Sequence, residues 1–215
     1  MKAYLQQWKE RTMRTVIVNN IVSLDGFTAS EDGNPLVLQM DAAFDQANLQ
    51  SISSADLVLL GRDSFDGFSG YWPFVAEAPE PADLTAPEAR AVDSTNRAIS
   101  DAYNALPKVV VSDRGDIPEE NAWYGSTTCI SRAEATEWLR HVKMSGDGDI
   151  IVFASHTLWN SLLADGLIDE MHLMISPKIL GAGVPAFTAP AQLELIQART
   201  FNGSSNVQLC YRVQR

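Results

Sequence analysis

Cysteine and histidine are scarce in this chain, with two of the first and three of the second among 215 residues. Cys129 and Cys210 lie far apart and form no metal-ligand spacing, so no metal site is expected. They read as buried free thiols of a reducing compartment, with a disulfide as the other reading. Long apolar runs are missing too. None approaches the length that crosses a bilayer, and the amino terminus carries no signal-peptide core. The expectation is a soluble, cytoplasmic protein with no membrane partner. Basic residues are outnumbered, 16 Lys and Arg against 27 Asp and Glu, for a net charge of −11. Such a surface repels a phosphate backbone, which argues against nucleic acid as a partner. It leaves room for a local pocket that holds one small anion.

What the chain does have is enough apolar residue, 46%, for one globular domain of ordinary size. Residues 14–215 read as that single domain. Residues 1–13 read as an N-terminal extension, charged and able to form a helix with Leu5 and Trp8 on one side. Met13 serves equally well as a start.

Apolar runs of strand length recur at 15–22, 56–61, 108–112 and 150–154. The run at 56–61 is continuous rather than alternating, the pattern of a strand buried on both faces, and those at 108–112 and 150–154 read as buried strands too. Helical spacing lies between them. A helix over 41–53 can be capped by Asp41, and Pro87 suits the start of another that runs through Ile99 to Leu106. Ser131 and Glu134 have the form of a capping box. Ser155 is placed to cap a helix carrying Leu158, Trp159, Leu162 and Leu163, and Gly166 suits its end. From Leu167 the pattern alternates, and two further strands around Asn202-Gly203 read as a hairpin. The expected architecture is a three-layer α/β domain. Its central sheet is mostly parallel, with an antiparallel C-terminal hairpin.

Chemistry gathers where these strands end. The strand at 56–61 delivers Gly61, Arg62 and Ser64. Glycine permits close backbone approach, the guanidinium offers a planar fork, and the hydroxyl offers one more hydrogen bond, a set that suits a phosphate. A strand, a turn glycine and a solvated arginine is the other reading. The strand at 108–112 repeats the pattern with Ser112 and Arg114. The first turn of the helix after Ser155 is a candidate anion site. Asp25-Gly26 ends the first strand and either stabilises its own turn or faces a ligand. The aromatics Phe65, Phe68, Tyr71, Trp72 and Phe74 serve as packing or as the wall of a ring-binding pocket. His172 reads as a packed or edge histidine, and the glycines of 181–183 do not form a dinucleotide fingerprint.

Six stretches occur in one order across residues 14–213: Ser23-Leu24-Asp25-Gly26, Gly61-Arg62-Asp63-Ser64-Phe65, Tyr71-Trp72-Pro73, Lys108-Val109-Val110-Val111-Ser112, Gly166-Leu167-Ile168-Asp169-Glu170 and Leu180-Gly181-Ala182-Gly183. The ordered set resembles the dihydrofolate reductase-like superfamily. Within it, the set is similar to the group related to the C-terminal reductase domain of bifunctional riboflavin-biosynthesis deaminase/reductases. The resemblance implies an oxidoreductase that takes NADPH and acts on a CH–NH, C=O or C=N group. The implied substrate is a small heterocycle, similar to 5-amino-6-(5-phosphoribosylamino)uracil or to a pterin. It implies that Gly61, Arg62 and Ser64 hold the adenosine-side phosphates, and that Ser112 and Arg114 help at the ribose phosphate. Ala154, Ser155, His156 and Thr157 would cradle the pyrophosphate, and Asp25 would orient substrate or assist its protonation as the catalytic residue. A homodimer is implied as well.

The chain departs from that group at the fourth-strand loop, where paired glycines are usual and Ala154-Ser155 stands instead. A methyl and a hydroxymethyl narrow the backbone approach, while Ser155 can supply a hydrogen bond in exchange. A ribosyl phosphate also calls for a further basic group near Asp25, and the sequence offers no obvious one. A nucleotide-binding or scaffold protein of the same fold, without catalysis, is the alternative function.

Overall fold

The structure, a computed structural model, describes residues 13–83, 87–146 and 148–214. In chain order its elements are β1 (Val16–Ser23), β2 (Phe27–Ala29), α1 (Ala42–Ser53), β3 (Ala55–Gly61), α2 (Arg62–Ser69), α3 (Trp72–Val75) and α4 (Ser94–Ala105). There follow β4 (Lys108–Val111), β5 (Thr127–Ile130), α5 (Arg132–Lys143), β6 (Asp149–Phe153), α6 (His156–Ala164), β7 (Glu170–Ser176), β8 (Val184–Pro185), β9 (Gln192–Thr200) and β10 (Val207–Gln214).

The main sheet has the order β5-β4-β3-β6-β1-β7-β10-β9. Its first six strands are parallel. Strand β10 runs antiparallel to β7, and β9 folds back on β10 as the expected C-terminal hairpin. The continuous apolar runs explain the layering. In β3, Leu57 and Leu59 face one core, with Leu139 of α5 and Trp159 and Leu162 of α6. Val58 and Leu60 face the other, with Phe65, Ile99, Tyr103 and Trp123. Strands β4 and β6 divide the same way, Val109 and Val152 on the first side and Val110 and Ile151 on the second. Both faces of these central strands are therefore dry, and helices must cover both.

The helices begin where their caps dictate. Asp41 accepts hydrogen bonds from the amides of Ala43 and Phe44 at the start of α1. Ser131 and Glu134 form the full reciprocal capping box of α5. The helix expected from Pro87 to Leu106 is divided: a 3-10 stretch, Pro87–Val92, precedes α4. Asp93 accounts for the break, since its side chain accepts from the Asn96 amide and starts a new helix. The stretch after Gly61, read from sequence as a loop, is the first turn of α2. The N-terminal extension expected over 1–13 lies outside the described residues except for Met13, and Asp147 lies outside them as well.

Chain order and sheet order diverge at β6. The chain leaves β1, builds β3, β4 and β5 outward, and then returns to insert β6 between β3 and β1. A reversal of this kind opens a crevice beyond the carboxyl ends of the strands, the usual ligand position in such sheets.

Candidate active site

A cleft of about 790 Å³ fills that crevice. The ends of β3, β4 and β6 and the first turns of α2 and α6 form one side. Thr28 and Ala29 of β2, Val184 of β8, and Gly33 and Pro35 roof the other. Gly61, Arg62, Ser64, Ser112, Arg114, Ala154, Ser155, His156 and Thr157 all line it. Three strand ends thus converge on one cavity, with Gly61 and Ser155 ninety-four positions apart in sequence.

The convergence is stitched by two hydrogen bonds. The Gly61 amide donates to Ser155 Oγ at 2.9 Å, and the Ser155 amide donates to Ser64 Oγ at 3.0 Å. Ser155 therefore holds the end of β3 and does not cap α6, which has no side-chain cap. The first turn of α2 lacks one too. Two helix N-termini turn uncapped backbone amides and the positive ends of their dipoles toward the same cavity.

Ala154 and Ser155 have φ angles of 47° and 50°. Both stand in the left-handed region that glycine enters freely and L residues avoid. The backbone path of a glycine pair is kept here without the glycines. The Ser155 hydroxymethyl is turned onto Gly61: a Cβ built on Gly61 would lie 3.8 Å from the Ser155 Cβ. Ser155 Oγ thus accepts one bond within the protein, and its hydroxyl hydrogen is the donor it has to offer an anionic ligand.

The arginines of the cleft are each matched by an aspartate. Arg62 Nε donates to Asp66 at 2.8 Å, and its NH1 donates to the Gly115 carbonyl at 3.1 Å. Arg114 NH2 donates to Asp63 at 2.6 Å and lies 3.6 Å from Asp66. Arg132 lies 3.7 Å from Asp113. Ser112 Oγ accepts from the Arg114 amide and fixes the turn that aims Arg114 at α2. Burial lowers the pKa of His156, so its imidazole favours the neutral form at the start of α6.

Asp25 stands apart from the residues that line the cleft. Its carboxylate accepts from the Ser23 hydroxyl at 2.7 Å, the Leu180 amide at 3.1 Å and the Gly181 amide at 2.7 Å. The Ser23 hydroxyl first, and these amides with it, hold its carboxyl below the ordinary range. Asp25 clasps the turn after β1 to the glycine loop before β8. The Gly26 carbonyl adds to the clasp by accepting from Ala186.

Sequence reasoning missed Asn20, Thr28, Ser161 and Arg132, which also line the cleft. Asn20 carried a signal, a polar residue within the apolar run of β1. That strand continues past its last pairing with β6, Asn19 opposite Phe153. Asn20 Oδ1 accepts from the Ile21 amide at 2.9 Å, which leaves its Nδ2 as the donor it can offer the cavity.

The chain is similar to known proteins over nearly its whole length. The family model described as RibD C-terminal domain matches residues 14–209. A Bacillus subtilis protein, described as uncharacterized protein YyaP, is 27% identical over 201 residues, 92% of this chain and 94% of its own length. Among solved structures, Acinetobacter baumannii RibD superposes with a TM-score of 0.68 at 18% identity. That alignment covers 99% of this chain and 63% of the Acinetobacter protein. Dihydrofolate reductase from Enterococcus faecalis, solved with NADP(H) and RAB-propyl, superposes with a TM-score of 0.57 at 11% identity, covering 94% and 97% of the two chains. Because the family match spans nearly all the described residues, this chain belongs to the RibD C-terminal domain family, a reductase family of dihydrofolate reductase-like fold.

Proposed function

We propose that this protein is an NADPH-dependent reductase of a small heterocycle that resembles a pterin or 5-amino-6-(5-phosphoribosylamino)uracil. The observation that carries the reading is the convergence of three strand ends on one cavity, two of them leading into uncapped helix N-termini. That set suits a dinucleotide: free amides for a pyrophosphate, guanidiniums for a phosphate monoester, and a left-handed backbone path where the chain must approach closely.

In this reading Ala154, Ser155, His156 and Thr157 bind the pyrophosphate, with His156 neutral so that it can act as acceptor or donor. Gly61, Arg62, Ser64, Ser112 and Arg114 bind the adenosine-side phosphate. The cofactor, when bound, supplies a hydride. The chain supplies orientation: Asn20 Nδ2 meets an acceptor at the inner end of the cleft, and the β2–β8 roof excludes water. Asp25 works as a positioning residue, since its clasp sets the loop that carries β2 over the cavity. A homodimer in the cytoplasm belongs to the same proposal.

Titration of the purified chain with NADPH and NADH, read by nicotinamide fluorescence and thermal shift, tests it. Saturable binding of NADPH, weaker for NADH and lost selectively in Arg62→Ala, is the expected result. Equal response to both cofactors, or to neither, would overturn it. Nucleotide binding without turnover is the second reading, favoured by the clasped Asp25 carboxylate. It gains ground if NADPH binds but is not oxidised with any pterin or pyrimidine offered.

A further inference from the structure

The two guanidiniums at the outer end of the cleft are held differently. Arg62 is built in, with its side chain 16% exposed and both Nε and NH1 committed. Arg114 is half-exposed, and its partner Asp63 is 93% exposed. Asp63 stands on the first turn of α2, where the helix dipole already favours an acid. Its carboxylate can leave Arg114 for water with no loss of burial and no rearrangement of the fold.

We infer that Asp63 is a specificity-determining residue of the cleft: it occupies Arg114 until a phosphate monoester displaces it. The inference rests on the NADPH reading above. A phosphate entering between Arg62 and Arg114 meets charge that is already matched. It must take Arg114 from Asp63, and it must do so beside the Asp66 carboxylate, 3.6 Å from the same nitrogen. The phosphate succeeds because a dianion with three oxygens can accept from both guanidiniums at once. Asp63 sets by how much. A ligand that ends in a bare ribose diol does not compete for Arg114 and is indifferent to Asp63. The residue thus narrows the margin by which a phosphorylated ribose is preferred, and keeps Arg114 from holding stray anions in the meantime.

Calorimetric titration of the full chain with NADP+ and with NAD+, which differ only in the phosphate monoester on the adenosine ribose, tests this in the wild type, Asp63→Asn and Asp63→Glu. NADP+ should bind about fivefold more tightly to Asp63→Asn, the size expected for loss of one exposed competing ion pair. Affinity for NAD+ should not change, and Asp63→Glu, which keeps an acid within reach, should behave like the wild type. If the wild type prefers NADP+ and Asp63→Asn leaves that preference unchanged or reduces it, the inference is overturned while the cofactor reading survives. If the wild type does not prefer NADP+, the cofactor reading fails and the inference falls with it.

Discussion

Ala154 and Ser155 bear a strain that glycine would not. A left-handed L residue costs about 1–2 kcal/mol, and part of the relief on substitution is offset by the greater freedom of glycine in the unfolded chain. Ala154→Gly should therefore raise the unfolding free energy by about 0.5–1 kcal/mol, measured by urea denaturation. Ser155→Ala should act in the opposite sense. It keeps the strain and leaves the part-buried Gly61 amide without its 2.9 Å acceptor, so a loss of about 1–2 kcal/mol is expected. If Ser155→Ala is neutral, the Gly61–Ser155 bond contributes nothing and the junction is held by the strands and by the Ser155 amide on Ser64 Oγ. At this scale much of the candidate site could be read in the sequence. Gly61, Arg62, Ser64, Ser112 and Arg114 stand at the ends of apolar runs, and a strand end is visible in the residues themselves. What could not be read was partnership. Nothing in the sequence pairs Asp63 with Arg114 across fifty-one positions, or turns Ser155 from its own helix to the Gly61 amide. Such pairings depend on the order in which strands are laid side by side.

The roof of the cleft is the least robust element. It consists of β2 and β8, three and two residues long, paired antiparallel and joined to the rest by the Asp25 clasp. Gly183 precedes β8, and a Cβ at that position would lie 2.3 Å from the Ala29 carbonyl oxygen. Backbone cannot yield as a flexible side chain can, so Gly183→Ala should part β8 from β2. Neither strand takes part in the pairing of the main sheet. The expected outcome is a marked loss of cofactor affinity by fluorescence titration, with the urea midpoint nearly unchanged. A large fall in the midpoint would show instead that the roof is part of the cooperative fold. The same two strands were invisible in the sequence, as was β5. Strands of two to four residues give no period to detect, and β5 is half-buried with no apolar run. The double-sided burial of β3, β4 and β6, by contrast, writes itself as unbroken hydrophobic stretches. Helix α2 was missed for a different reason: it begins on Gly61 with no side-chain cap, and a start without a cap leaves no mark.

The whole molecule carries a charge of −11, yet the ligand proposed for it is a polyanion. Within the outer cleft, Arg62, Arg114 and Arg132 are matched by Asp66, Asp63 and Asp113, so no net positive charge is left to draw an anion in from a distance. Attraction begins only at contact, when a phosphate replaces a carboxylate. Before contact, the approaching cofactor feels the net negative field of the protein. That field is screened over about 10 Å at 0.1 M salt and reaches about three times as far at 0.01 M. Contacts of a guanidinium that is 16% exposed are screened much less than this outer field. The sign of the salt effect follows. Raising ionic strength from 10 to 100 mM should speed NADPH association, by roughly two- to fivefold, because it removes repulsion without removing the local bonds. A cleft that steers its ligand by opposite charge would slow down over the same range. Stopped-flow fluorescence quenching at several salt concentrations distinguishes the two. A rate that falls with salt would mean that the aspartates do not neutralise the cleft in solution, and that Arg114 stands free of Asp63 before the ligand arrives.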